Sequence, residues 1–127
     1  LAAGLRAPRA HGAGRYFDAF GALGLGRPGS TYEGQVALEW NLVADEGEER
    51  AYPHAVARDG EVPQIDLRPA VREATGELVA GEPASRVSAR FHNTLAEAAV
   101  LADVVVLAVP ETVANAIGMR RSGLSEP

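Results

Sequence analysis

Two places in this sequence combine residue types that could do chemistry: Asp18, set behind aromatics in Tyr16-Phe17-Asp18, and the turn Tyr32-Glu33-Gly34-Gln35. An ionised carboxylate only accepts hydrogen bonds, so Asp18 would serve a ligand that donates them. One acidic residue among aromatics does not by itself define a function. Glu33 is explained by capping alone, because Ser30 followed three residues later by a glutamate is a capping box. Gly34 is harder to explain, since glycine in a first helical turn costs backbone entropy. Its use there suggests that something approaches the backbone closely, and a helix N-terminus favours an anion or a ligand oxygen.

The other candidate motifs reduce to structure. Gly24-Leu25-Gly26-Arg27-Pro28-Gly29 spells GxGxxG, with acidic residues following at 45 and 46. A dinucleotide loop must leave a strand and open a helix with free N–H groups. Here the glycines follow a helix and Pro28 removes a donor, so the segment reads as a helix–helix turn. His11, His54 and His92 stand far apart and match no metal-ligand spacing. His92 lies beside an apolar helical stripe and reads as structural. Neither a GxSxG nucleophile turn nor a phosphate-cradling GxxxxGK loop is present. Glu48-Glu49 is a carboxylate pair, but within Asp45-Glu46-Gly47-Glu48-Glu49 it reads as part of a solvated acidic turn. The lack of cysteine excludes disulfides, thiolate metal sites and a cysteine nucleophile.

The elements that must position Asp18 and the Gly34 turn follow from periodicity. Residues 1–13 read as loop. Phe17, Phe20 and Leu23 or Gly24 lie near helical spacing, predicting a short helix over Gly14 to Leu25. Gly21 weakens it by about 1 kcal/mol relative to alanine. A second helix is predicted from the Ser30 capping box to about Ala44, with Val36, Trp40 and Val43 as its buried stripe and Ala37 and Leu38 beside it. Residues 50–57 and 62–67 suit two short strands around Arg58-Asp59-Gly60. Leu67, Val71, Ala74 and Leu78 mark a third helix, with Pro69 in its first turn and Gly81 ending it. Val87, Phe91, Leu95 and Ala98 mark a fourth, from near Ala84 to about Leu101. Val104 to Val109 continue that helix or form a buried strand. Residues 111–118 add a helical turn or two, and the polar tail from Arg120 reads as disordered.

Bulk properties bound the function. The 127 residues suit one domain or part of one. A net charge of −5, from 12 basic and 17 acidic residues, offers no basic field to nucleic acid or to an anionic membrane. The longest apolar run, Val104 to Val109, falls well short of the ~20 residues a membrane span needs. Leu1 in place of methionine reads as a cut inside a longer chain. Arg6 and Arg9 have no apolar core behind them, so a signal peptide is not expected and a cytoplasmic location is.

Four blocks then resemble a known family. Gly14-Arg15-Tyr16-Phe17-Asp18-Ala19, followed by Thr31-Tyr32-Glu33-Gly34-Gln35-Val36-Ala37-Leu38-Glu39, is similar to the paired signature of HypF carbamoyltransferases. Ile65-Asp66-Leu67-Arg68-Pro69 and Ala89-Arg90-Phe91-His92-Asn93-Thr94-Leu95-Ala96 agree in order and spacing. Together they cover roughly residues 8–100. The resemblance implies an enzyme that uses carbamoyl phosphate and ATP to make a carbamoyl-adenylate. The carbamoyl group then passes to the C-terminal cysteine of the partner maturation protein HypE, on the way to the cyanide ligand of nickel–iron hydrogenase. It implies an α/β fold in which this chain is a mostly helical part of an actin-like ATPase or sugar-kinase lobe, with a short β-hairpin. On that reading residues 1–13 are a cut edge, 14–101 a partial carbamoyl-transfer domain and 102–127 a divergent tail.

By position, the resemblance makes Asp18 the ribose-binding aspartate, and Gly34 or Gln35 the glycine that lines the same nucleotide pocket. A carboxylate accepting from ribose hydroxyls makes charge-assisted bonds worth roughly 1.5–3 kcal/mol. Zinc or iron is implied for the full-length protein, with ligands outside this chain. The sequence also departs from the family. His11-Gly12 replaces two serines, and nothing after Leu101 matches the expected Gly-Gly-x-Phe-Gln-Asn turn and metal-binding aspartate. The polypeptide alone is therefore expected to be inactive. Two other readings are a non-catalytic interaction or assembly module and a tRNA threonylcarbamoyl-transferring relative. The second is disfavoured by the acidic charge and by Tyr32-Glu33-Gly34-Gln35, where that family has a Tyr-Pro-Gly-Gly turn.

Overall fold

A computed structural model of the chain describes residues 12–102. His11, the apolar run Val104 to Val109, the expected turns over 111–118 and the polar tail lie outside the described residues.

The first helix, α1 (Ala13–Leu25), runs where the aromatic spacing predicts. It stops because Gly26 turns left-handed at φ 62, letting the N–H groups of Gly26 and Arg27 close on Leu23 and Ala22. This helix end explains the GxGxxG segment: its glycines terminate a helix instead of opening one.

The second helix, α2 (Gln35–Leu42), is shorter than the capping box predicts. Gly34 precedes it at φ 81, a left-handed value that interrupts helical geometry, so the helix cannot extend back to Ser30. Neither Ser30 nor Glu33 forms a capping bond. The Thr31 N–H and hydroxyl instead both donate to Gln35 Oε1, each at 2.7 Å.

The hairpin forms where Asp59-Gly60 places it. Strands β1 (Ala55–Ala57) and β2 (Gln64–Asp66) pair antiparallel, with Val56 opposite Ile65. Next comes α3 (Arg68–Val79), with Pro69 in its first turn, and then α4 (Ala84–Ala102). Gly81 separates them at φ 90. The described residues thus form a mixed α/β unit, mostly helical, with one two-stranded sheet.

The core is aromatic and centred on α4. Phe91 meets Phe17 edge-on at 5.0 Å and Phe20 at 4.4 Å between ring centroids. Trp40, Tyr52, Val87, Leu67, Ala70 and Ala74 complete it. Two expected stripe residues turn outward, Val43 and Val71, each 37% exposed, and of the alternatives Leu23 and Gly24 on α1 Leu23 is the outward one, 59% exposed. On α1 the inward position is Gly24, not Leu23. On α3 Ala70 is buried in place of Val71, alongside the expected Leu67 and Ala74.

Candidate functional site

The geometry of the α1–α2 pair is set by two glycines. A β-carbon on Gly21 would lie 2.7 Å from Val36 Cγ1 and 3.0 Å from its carbonyl oxygen. One on Gly24 would lie 2.2 Å from Trp40 Cζ3. The helices therefore approach closely enough for backbone to touch side chain. Asp18 stands one turn before Gly21 on the same side of α1, and Gln35 immediately precedes Val36. The shared interface carries Asp18 and the Gly34-Gln35 turn to the same end of the helix pair.

Asp18 is half-buried, and its Oδ2 pairs with Arg15 at 2.8 Å, one turn back on α1. Among the described residues Oδ1 has no hydrogen-bond partner, and no hydrogen bond joins Asp18 to Gly34 or Gln35. Gly34 is exposed, and among the described residues nothing lies within 4 Å of where its β-carbon would be. The left-handed backbone there faces open space.

Gln35 is the hub of this turn. Its oxygen accepts from Thr31, its Nε2 donates to Glu39 Oε1 at 3.0 Å, and Glu39 Oε2 pairs with Arg27 Nε at 3.0 Å. Arg27 comes from the glycine-rich segment after α1. That segment therefore returns a cation to Glu39, one turn into α2.

A second polar centre went unread in the sequence. Arg90, only 4% exposed, lies at 2.8 Å from both Glu48 and Glu77 and 3.5 Å from Glu82. Glu48 is thus not part of a freely solvated turn. The Arg50 N–H, and then the Arg90 guanidinium, hold its carboxyl below the ordinary range. Burial works against the charge on Arg90, but bonds to Glu77 and Glu48 outweigh it and raise the Arg90 pKa. Tyr52 donates to Glu77 at 2.6 Å, and burial together with that carboxylate pushes its phenol well up. Asn93 donates to the carbonyls of Glu48 and Arg50, each at 2.9 Å, tying the loop to α4. The available signal was an arginine inside an apolar helical stripe, a position that requires buried carboxylate partners.

His92 is buried between Phe17 and Phe91, as a structural reading expects. Its Nδ1 lies 2.7 Å from the Ser88 carbonyl, a contact only an N–H can make favourably. Nε2 is then a bare lone pair, and among the described residues it has no partner. Burial pushes the pKa down, opposed by the Ser88 carbonyl.

The better-enclosed cavity among the described residues, about 120 Å³, lies between α1 and α3 and is lined by Tyr16, Phe20, Leu23, Val71 and Leu78 among others. It is apolar, and Asp18, Gly34 and Gln35 are not part of its wall. No group of three or more His, Cys, Asp or Glu that could hold a metal ion occurs among the described residues. These residues do not fit a metal centre. None of the described helices is long and apolar enough to cross a membrane.

Comparison with known proteins gives the class and then the place within it. Residues 1–119 match a carbamoyltransferase family, so the chain is part of a carbamoyl-transfer protein. It belongs to the family described as "Carbamoyltransferase, Kae1-like Domain, second subdomain", a C-terminal portion of HypF proteins. That match takes in all four sequence blocks and extends past the described residues at both ends. No curated protein and no solved structure gives a significant match.

Proposed function

We infer that this chain supplies part of the adenylate-binding side of a carbamoyltransferase, with Asp18 holding the ribose and the Gly34-Gln35 turn bordering the same site. Family membership supplies the class of reaction. The observation that carries the site is the register of α1 on α2, which puts a half-buried carboxylate and an open left-handed glycine at one end of a tight helix pair.

The residues fit a nucleoside. Arg15 occupies one oxygen of Asp18, and the other can accept from a ribose hydroxyl. A hydrogen bond from a sugar hydroxyl to a carboxylate is charge-assisted. Gly34 places no side chain between its backbone and an approaching ring. Bound as carbamoyl-adenylate, the nucleotide supplies an activated carbonyl with AMP as leaving group. This chain's residues orient the sugar, and the full-length protein supplies the rest.

In this reading the full protein uses ATP and carbamoyl phosphate and delivers the carbamoyl group to a C-terminal cysteine of HypE in the cytoplasm, for the cyanide ligand of nickel–iron hydrogenase. The chain is then a mostly helical part of an actin-like ATPase-type lobe. Zinc or iron falls to residues beyond those described, and the isolated chain is inactive.

The test is photolabelling of the full-length protein with 8-azido-ATP. Trypsin does not cut at Arg27-Pro28, so Asp18, Gly34 and Gln35 share the peptide spanning residues 16–50. The expected result is labelling of that peptide, competed by ATP and weakened by Asp18→Ala. Unchanged labelling in Asp18→Ala would remove the ribose-binding role.

A further inference from the structure

We propose that Glu39, held by Arg27, is a positioning residue for the nucleotide site: it fixes the Gln35 amide so that Gln35 clamps the turn presenting Gly34. This rests on the adenylate-binding reading above and adds residues that the sequence blocks do not distinguish.

The chain of contacts is continuous. Arg27 Nε meets Glu39 Oε2 at 3.0 Å, and Glu39 Oε1 accepts from Gln35 Nε2 at 3.0 Å. That bond decides which way the Gln35 amide faces, because a carboxylate can only accept. The amide oxygen must then point back over the turn, where it accepts from both the N–H and the hydroxyl of Thr31 at 2.7 Å. The loop Thr31 to Gly34 is closed at both ends, by this pair and by the Gln35 N–H donating to the Tyr32 carbonyl at 3.3 Å.

Gly34 needs such a closure. Among the described residues its left-handed φ of 81 receives no side-chain cap, and no neighbouring atom within 4 Å of its β-position confines it. Packing of the turn itself does not choose this conformation, because Tyr32, Glu33 and Gly34 are all exposed. The side-chain clamp does. Arg27 reaches Glu39 only because α1 ends at Gly26 and the glycine-rich segment folds back. The apparent dinucleotide signature is thus used as a tether.

The test compares full-length variants by the 8-azido-ATP concentration that half-saturates labelling of the 16–50 peptide. Loss of one charge-assisted contact raises that concentration about tenfold in Glu39→Ala and in Arg27→Ala, while maximal labelling stays unchanged. The double variant is no worse than either single one, because both break one chain. Arg27→Lys, which keeps the cation, recovers most of the affinity. Hydrogen exchange at the Thr31 amide speeds up in Glu39→Ala. A role confined to stability would instead lower the melting temperature and maximal labelling together, and that result overturns the proposal. So does unchanged half-saturation in Glu39→Ala when Asp18→Ala raises it, and the adenylate reading then survives. If Asp18→Ala also leaves it unchanged, the adenylate reading falls and this inference with it.

Discussion

Gly24 lies directly beneath the indole of Trp40: a β-carbon at position 24 would stand 2.2 Å from Cζ3 and 2.4 Å from Cη2. Both atoms belong to a ring that is fully buried, so it has no free space to move into. Gly24→Ala must either tilt Trp40 against Phe91 or push α1 off α2. Overpacking of this kind costs about 1–3 kcal/mol. Gly76 in α3 is the contrast, since nothing lies within 4 Å of its β-position. Gly76→Ala is expected to stabilise α3 by about 0.5–1 kcal/mol. Hydrogen exchange on the full-length protein checks both: faster across α1 and α2 in the first variant, slower in α3 in the second.

Arg90 gives a second expectation. Its guanidinium is the only cation within 3.5 Å of Glu48, Glu77 and Glu82 together among the described residues. Replacing it by methionine keeps much of the stem packing but removes the buried cation the carboxylates share, leaving only Arg50 at 3.8 Å from Glu77 and Arg86 at 3.3 Å from Glu82. Breaking a buried pair in this way costs roughly 3–5 kcal/mol. The Tyr52 N–H, which donates to Thr94 Oγ1 at 2.7 Å, is a local probe. Its exchange should accelerate by about two to three and a half orders of magnitude in Arg90→Met. Arg90→Lys should recover little, because one ammonium cannot span carboxylates that a planar fork reaches in two directions. Near-normal exchange in the lysine variant would mean that charge alone holds the loop.

The contrast between these two sites shows what the sequence discloses and what it hides. Helix spacing located α1, α3 and α4 within a residue or two, and Asp59-Gly60 located the hairpin, because those signals are local. The start of α2 was misplaced because Ser30 and Glu33 meet the capping pattern, while Gly34 between them and the helix takes a left-handed conformation that no local pattern excludes. Gly24 looked like a helix breaker; its contact with Trp40 depends on a helix sixteen residues on. The Arg90 cluster joins Glu48 and Glu77 to α4 across separations that periodicity does not sense. Asp18 and Gly34 came from a motif, and the Gly21–Val36 contact that sets the register of their helices is one only the fold provides.

His92 should make stability depend on pH in a narrow window. Its folded-state pKa is depressed below the ordinary 6.5, chiefly by burial, so the unfolded chain takes up the proton first as pH falls. The stability it contributes is complete above 6.5 and is lost as pH drops below that value. Glu48, also depressed, begins to matter only below its ordinary 4.5, leaving the interval between to the histidine. Exchange of the α1 and α4 amides should therefore speed up between about pH 6.5 and 5 after correction for intrinsic rates. His92→Leu should flatten that dependence. A wild-type profile that stays level across the interval would show that the imidazole does not resist protonation.

Gly34 separates a conformational requirement from a steric one. Its φ of 81 disfavours any side chain, yet none of the described residues comes within 4 Å of its β-position. Alanine there should cost about 1–2 kcal/mol, from strain alone. Asparagine tolerates the left-handed region better and should cost visibly less. If the turn served only to start α2, Gly34→Asn would therefore bind nucleotide better than Gly34→Ala. If a nucleoside lies against the backbone, the larger asparagine blocks it, and the order reverses: Asn keeps the fold but loses 8-azido-ATP labelling of the 16–50 peptide at least as fully as Ala. Measuring α2 exchange and labelling on the same two variants distinguishes the cases, because strain moves the two readouts together and a blocked ligand moves only the second.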